Sequence, residues 1–193
     1  MSATPWRSPL ARALHHNRSQ RDSRYFQIAT VHADGRPANR TVVFRGFGGD
    51  RDMIQFITDR RSAKLDDIAH QNWGEICWYF PKTREQFRIA GTLTVIDADQ
   101  PDSALQQTRS QAWQQLSEPA RVQFAWPHPG QPRSPQAAAV QSTPPDPVTP
   151  LPTFCLVWLE PLMVDHLELR GDPQTRSRYQ WHGQQWDTQV VNP

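Results

Sequence analysis

Between Tyr25 and Ile96 short runs of β-branched and aromatic residues follow one another, most of them closed by turn residues. That rhythm constrains the fold more than any other feature of the chain. Tyr25–Val31 is followed by the turn Ala33-Asp34-Gly35-Arg36-Pro37, then by Arg40–Gly46. Gly48-Gly49-Asp50 leads into Met53–Thr58. Strand-like runs joined by turns this short pair with their sequence neighbours, so the series predicts an antiparallel meander. Glu75–Phe80 and Glu85–Ile96 add two strands around the turn Pro81-Lys82-Thr83. Gly91 inside the second of them predicts a bulge or a close backbone approach.

Other stretches carry a helical period. Trp6, Leu10, Ala13 and Leu14 fall at i, i+4, i+7 and i+8, with Ser8 as the cap and Pro9 as the first helical residue. Ser62 opens a second helix. Leu65, Ile68 and Ala69 form its apolar face, Asp66-Asp67 suit the dipole, and Asn72 ends it. Asp102–Leu116 predicts a third helix and Glu118–Phe124 a shorter one. From Pro127 to Pro152 the chain is rich in Pro, Ala, Ser and Gln, which predicts a long irregular excursion without a core face. Phe154–Trp158 and Met163–Leu169 return to strand, and Arg176–Trp181 pairs with Trp186–Val191 around His182-Gly183. The expected fold is mainly β with flanking helices. It is one domain over residues 1–193, a closed or nearly closed antiparallel barrel of roughly six to eight strands.

Composition narrows the function. The 193 residues suffice for one sizeable core, and 18 prolines disfavour an all-helical fold. A net charge of +2 is too small to argue for nucleic acid. Arginine outnumbers lysine, which favours bidentate anion contacts over diffuse attraction. Cys77 and Cys155 each lie in an apolar run and predict buried strand thiols, not a disulfide framework. No run approaches a membrane span and none reads as a secretory leader, so a reducing cytoplasm is expected. The seven histidines lack a metal-ligand spacing. No dinucleotide, Walker or nucleophile-elbow motif is present.

Three polar clusters remain. Asn39-Arg40-Thr41-Val42-Val43-Phe44-Arg45 lies on a predicted strand. Thr58-Asp59-Arg60-Arg61-Ser62-Ala63-Lys64 joins a strand to a helix start. Thr83-Arg84-Glu85-Gln86-Phe87-Arg88-Ile89-Ala90-Gly91 enters the long strand. Cations and hydroxyls at strand ends and at a helix N-terminus suit a phosphate, because orphan amides and the helix dipole both favour an anion there.

Taken in order, Arg-x-Val-Val-Phe-Arg, Phe-x-Thr-Asp-x-x-Ser-x-Lys, Trp-Tyr-Phe and Gln-Phe-Arg-Ile-x-Gly resemble the pyridoxamine 5'-phosphate oxidase family, closest to an oxidase-like branch of it. The match is strongest from Gly35 to Gly91 and resumes from Val164 to Pro193. The resemblance implies an antiparallel FMN-binding split β-barrel, and a homodimer with flavin at the subunit interface. It implies that Arg40 and Lys64 grip the FMN phosphate, with Thr58 and Ser62 as hydroxyl donors. Val42 and Val43 match positions whose backbone edges approach the ring, with Thr41 and Ile57 among the cofactor contacts. Arg45 takes the place of a strand-end lysine. Gln86 matches a glutamine that hydrogen-bonds the ring system, and Gln131 is the approximate counterpart of a further cofactor contact. Arg178, from the second subunit, would sit near the flavin N1 and C2 carbonyl edge and act in catalysis by steadying the reduced ring.

The implied activity moves a substrate hydride from pyridoxamine or pyridoxine 5'-phosphate to flavin N5, with oxygen as the final acceptor. Several positions depart from the family pattern. Ala63 stands where an arginine faces the phosphate, and Leu167 or Glu168 stands where a tryptophan stacks on the flavin. Gln174 and Arg176 replace an arginine and a histidine that hold the substrate, and the residues that bind substrate phosphate have no secure counterpart between Leu105 and Ser117. An FMN-binding flavin reductase, carrier or sensor therefore stands as a second reading. A nucleic-acid module on a small barrel is a third, disfavoured by the weak net charge.

Overall fold

The computed structural model describes residues 4–133 and 143–193. The middle of the expected Pro-rich excursion, 134–142, lies outside the described residues. The element order is α1 (Arg7–His16), β1 (Tyr25–Val31), β2 (Pro37–Val43), β3 (Gly46–Gly48), β4 (Met53–Asp59), α2 (Ala63–His70), β5 (Trp73–Phe80) and β6 (Glu85–Ile96). It continues with α3 (Ser103–Gln114), α4 (Glu118–Val122), a 3-10 turn (Gln123–Ala125), β7 (Phe154–Glu168), β8 (Thr175–Trp181) and β9 (Trp186–Val191). The nine strands form one antiparallel sheet in the order β2-β1-β5-β6-β7-β4-β3, with β8 added to β7 and β9 to β8. This exceeds the six to eight expected for a barrel, because β8 and β9 extend the same sheet; the short β3 is an added strand, and the two runs expected at Phe154–Trp158 and Met163–Leu169 form one.

The sheet divides along β7. One edge of this strand pairs with β6 along most of its length. The other edge is shared: Phe154–Leu159 pairs with β4, and Met163–Glu168 pairs with β8. The barrel is thus split, not closed. The sequence predicted two strands here, ending one before Pro161. The structure runs straight through. The register shifts between Ala90 and Gly91, where Pro161 and Met163 oppose neighbouring residues and Leu162 is the extra one. A bulge absorbs a proline that cannot donate to the ladder. At the other end, β2 leads through Phe44 and Arg45 into β3, and Arg45 N–H donates to Gln55 C=O.

Alternation sets the core. In β1, β4 and β5 every second residue is buried, which is the period-two signature of a sheet wrapped around one interior. Trp78 lies at the centre of that interior, within 5.0–5.2 Å ring separation of Phe26, Phe44 and Phe80. A second cluster joins Trp113, Leu116, Phe124 and Phe154, fastening α3 and the 3-10 turn to the start of β7. Arg109 of α3 is buried and donates to Phe154 C=O and Leu151 C=O, which fixes the chain where it re-enters the sheet. α1 begins at Arg7, ahead of the expected Ser8 cap, and Trp6 at its start is fully buried. No helix among the described residues is long and apolar enough to cross a membrane.

The cysteines differ. Cys155 is buried, whereas Cys77 is only partly so. Burial, and then the Asp97 charge, pushes the Cys155 thiol up to about 12. Thiolate is the reactive form, so the native protein is expected to leave Cys155 unlabelled by iodoacetamide near pH ~8. Unfolding in guanidinium should release it. Peptide mass mapping decides the matter, and fast native labelling at Cys155 would contradict its burial.

Candidate functional site

Residues near in space but distant in sequence line a cleft of about 660 Å³ beside β2. One wall is Thr41, Val42, Val43 and Arg45, with Tyr25 of β1 alongside. The end of β4 contributes Ile57, Thr58 and Asp59, and Arg61 and Lys64 come from the start of α2. Ala120, Gln123, Phe124, Trp126, Pro127 and Pro129 form the opposite wall. β2 is the end strand of the sheet, so one edge of its backbone has no strand partner among the described residues.

Lys64, partly buried, lies beside the buried Thr58 in this lining. Its Nζ donates to Thr58 Oγ1 at 2.8 Å and to Ser62 Oγ at 2.6 Å. No carboxylate among the described residues lies within ion-pair distance of it. Burial, and then the Arg40 charge, pushes the ammonium below the ordinary lysine range. Ser62 occupies the N-cap position of α2, but its side chain makes no capping bond. Its hydroxyl serves Lys64 instead. Arg61 is already neutralised: Nε and Nη2 grip Asp59 at 2.9 and 2.7 Å. Burial raises the Asp59 carboxyl, but the Arg61 bonds outweigh it and hold the carboxyl low.

Arg45 borders both this cleft and a smaller cavity of about 480 Å³ shared with Arg24 and α3. Its Nε is buried and has no hydrogen-bond partner among the described residues. A buried donor left unpaired is costly, as is a partly buried cation facing only hydroxyls. Both conditions are relieved by an anion with acceptor atoms. The cleft volume also falls in the range of small-molecule sites, and its mix of apolar walls with a few convergent polar groups is typical of them. The residues present therefore fit a phosphate-bearing aromatic ligand such as FMN.

Seven of the expected cofactor residues line the cleft together: Thr41, Val42, Val43, Arg45, Ile57, Thr58 and Lys64. Ser62 touches it through Lys64. Arg40 is not in its lining. It lies on the inward side of β2, where its guanidinium bonds Thr30, Ile28 C=O, Ala38 C=O and Asp67. Gln131 is exposed in a turn after the far wall and does not line the cleft. Gln86 and Arg178 are also elsewhere in the chain. Strand pairing places Gln86, Leu167 and Arg176 in one row across β6, β7 and β8, and Arg88, Asp165 and Arg178 in the next. Asp165 accepts from Arg176 at 2.8–3.2 Å, Arg178 at 3.3 Å and Arg88 at 3.4 Å. Its carboxyl, raised by burial, is held low by these arginines, Arg176 foremost.

The sequence reading missed the far wall of the cleft. Phe124 ends the short helix expected over Glu118–Phe124 and Trp126 follows it, and Trp126 stays 52% exposed beside the cleft. No spacing signal marks such residues. Asp67, read only as suiting the helix dipole, is buried.

Comparison with known proteins completes the description. The family model described as pyridoxamine 5'-phosphate oxidase, FMN-binding domain, matches residues 3–97. The pyridoxine/pyridoxamine 5'-phosphate oxidase 2 of Arabidopsis thaliana is 40% identical over 192 residues, covering 98% of this chain and 97% of that protein. A crystal structure of a pyridoxamine 5'-phosphate oxidase-related, FMN binding protein from Nostoc punctiforme superposes with a TM-score of 0.95 at 55% identity, covering 100% of both chains. PhzG from Burkholderia lata, solved with tetrahydrophenazine-1-carboxylic acid, shares the fold with a TM-score of 0.79 at 20% identity, covering 100% of this chain and 94% of that one.

Proposed function

The chain belongs to the pyridoxamine 5'-phosphate oxidase family, and from that premise we propose that it is an FMN-dependent oxidoreductase acting on pyridoxamine or pyridoxine 5'-phosphate. The observation that carries this reading is Lys64, a partly buried ammonium held by two hydroxyls with no carboxylate within ion-pair distance among the described residues. Lys64 neutralises the cofactor phosphate while Thr58 and Ser62 orient the ammonium. The unpartnered edge of β2 offers backbone groups along Thr41–Val43. Val43, Ile57, Phe124 and Trp126 shield the cleft from water, which strengthens every polar contact inside it. Arg45 presents its spare Nε–H at the inner border. Bound FMN supplies a two-electron acceptor for a substrate C–H bond and passes the electrons on to oxygen.

The remaining candidate residues favour a homodimer. Gln86 and Arg178 project from the outer face of the sheet, outside the cleft of their own chain. Tyr25, Thr41 and Val43 belong to the same face through the pairing of β1 with β2 and β5. In a two-fold pair each copy would bring Arg178 to the other's cleft, where a fixed cation stabilises developing negative charge.

The test is direct. The purified protein should carry FMN and release peroxide when given pyridoxine 5'-phosphate under air. One specific observation favours the second reading, a flavin reductase, carrier or sensor. Arg176, at a substrate-holding position, is bound bidentately by Asp165. Bound flavin with no peroxide from either vitamer, together with reduction by NADH or NADPH, would establish that alternative. A colourless protein that takes up no added FMN would remove both.

A further inference from the structure

We propose that Asp67 is a positioning residue for the cofactor phosphate: it holds Arg40 beside Lys64, and Thr30 and His32 hold Asp67. The proposal rests on the reading that Lys64, Thr58 and Ser62 receive the phosphate.

Asp67 lies on α2, one turn after Lys64, with 4% exposure. Its Oδ2 accepts from Thr30 Oγ1 at 2.6 Å and from Arg40 Nη2 at 3.3 Å. Its Oδ1 accepts from His32 Nδ1 at 2.7 Å. The circuit closes at Thr30, whose Oγ1 also accepts from Arg40 Nη1 at 2.6 Å. One carboxylate therefore ties α2 to β1 and β2 through a hydroxyl, an imidazole and a guanidinium.

A bond between helix and sheet needs only one of these contacts. The full set solves a different problem. Arg40 and Lys64 are like charges, close enough that Arg40 adds to the lowering of Lys64. With no anion in the cleft they repel, and the bonds from Arg40 to Asp67 and Thr30 hold the guanidinium in place against that repulsion. Asp67 binds Arg40 directly and adds a favourable charge near Lys64, which Thr58 and Ser62 hold, before the ligand arrives. Binding then needs no rearrangement, which is the condition for tight retention. Burial alone raises the Asp67 carboxyl, but the bonds from Thr30, His32 and Arg40 outweigh it and keep it ionised.

The test is a double-mutant cycle on the apoprotein, read by the quenching of FMN fluorescence at fixed pH and salt. Asp67→Asn should weaken FMN binding about tenfold, the scale of a lost charge-assisted bond, and Arg40→Ala by a similar factor. In the Arg40→Ala background Asp67→Asn should add less than about twofold, because the residue acts through Arg40. Thr30→Val, which keeps the strand residue's shape and removes the hydroxyl, should weaken binding in the same direction and also lose its effect without Arg40. It decides the question should Asp67→Asn fail to fold. Penalties that multiply, or wild-type FMN affinity in Asp67→Asn and Thr30→Val, would overturn the proposal in favour of a plain structural tie. Lys64→Ala separates the two levels. Weak binding there with normal binding in the Asp67 and Thr30 variants sinks only this inference. Normal binding in Lys64→Ala sinks the phosphate site itself.

Discussion

Lys64→Ala is expected to weaken FMN binding by about 1.5–3 kcal/mol, roughly ten- to a hundredfold. Lys64 should matter more than Arg40, because the Arg40 guanidinium already spends donors on Thr30, Ile28, Ala38 and Asp67. Lys64 donates only to two hydroxyls. The same substitution should leave the apoprotein as stable as wild type or more so, since burial and the Arg40 charge outweigh the pull of Asp59 and Asp67 on the Lys64 ammonium, and a partly desolvated cation opposes folding. FMN should therefore raise the melting temperature of wild type strongly and of the variant weakly, as linkage requires. The pH dependence has a definite sign. The folded apoprotein holds the Lys64 proton less tightly than the unfolded chain does. The unfolded state then binds more protons, so apoprotein stability rises as pH climbs through the lowered Lys64 value toward the ordinary lysine range. Saturating FMN should flatten that rise. Equal FMN affinity in Lys64→Ala and wild type, measured by titration calorimetry, would refute the phosphate site.

Gly91→Ala is expected to destabilise the fold by about 3 kcal/mol, near the upper end for a single overpacked site. Gly91 sits where β6 meets the bulge of β7. A Cβ there would run into the Glu160 carbonyl oxygen, would stand 2.8 Å from the carbonyl carbon, and would lie 3.1 Å from Leu162 N. All three atoms are backbone, so no side-chain rotation relieves the clash. For a domain of this size the loss corresponds to a melting temperature lower by roughly 6–12 °C. Gly35→Ala gives the contrast. Its φ is +85° and nothing lies within 4 Å of the added carbon, so only the backbone preference is lost, about 1 kcal/mol. Differential scanning calorimetry on the two variants separates steric from conformational cost. A Gly91→Ala loss no larger than that of Gly35→Ala would mean that β7 slides at the bulge without penalty.

Much of the fold could be read from local pattern. β1, β4 and β6 fall where β-rich runs and turn residues put them, and α3 forms within the expected Asp102–Leu116, with Asp102 capping it by accepting from Ala104 and Leu105 N–H. The break placed before Pro161 failed because a proline ends a strand only when its neighbour needs the missing donor. The register shift beside Gly91 removes that need. Asp67 was read only as suiting the helix dipole, for a related reason. The apolar spacing on α2 favoured Leu65, Ile68 and Ala69 as the inward face. The helix turns instead to bury Asp67 and Ile68 and to expose Ala69, because Thr30, His32 and Arg40 offer the carboxylate three donors.

The candidate site divides in the same way. Thr58, Ser62 and Lys64 are close in sequence, and a strand end followed by a helix start already brings hydroxyls and a cation together. That much the amino-acid order determined alone, along with an antiparallel β fold, because turn chemistry and side-chain period act over a few residues. Tertiary structure decided the rest: that β2 is left with a bare edge, that Phe124 and Trp126 close the opposite wall, and that Gln86 and Arg178 point away from the cleft of their own chain. Those outcomes depend on strand order and on how β7 divides its partners. Pairings across a hundred residues are set by the burial of the whole sheet, a free energy that no local segment carries by itself.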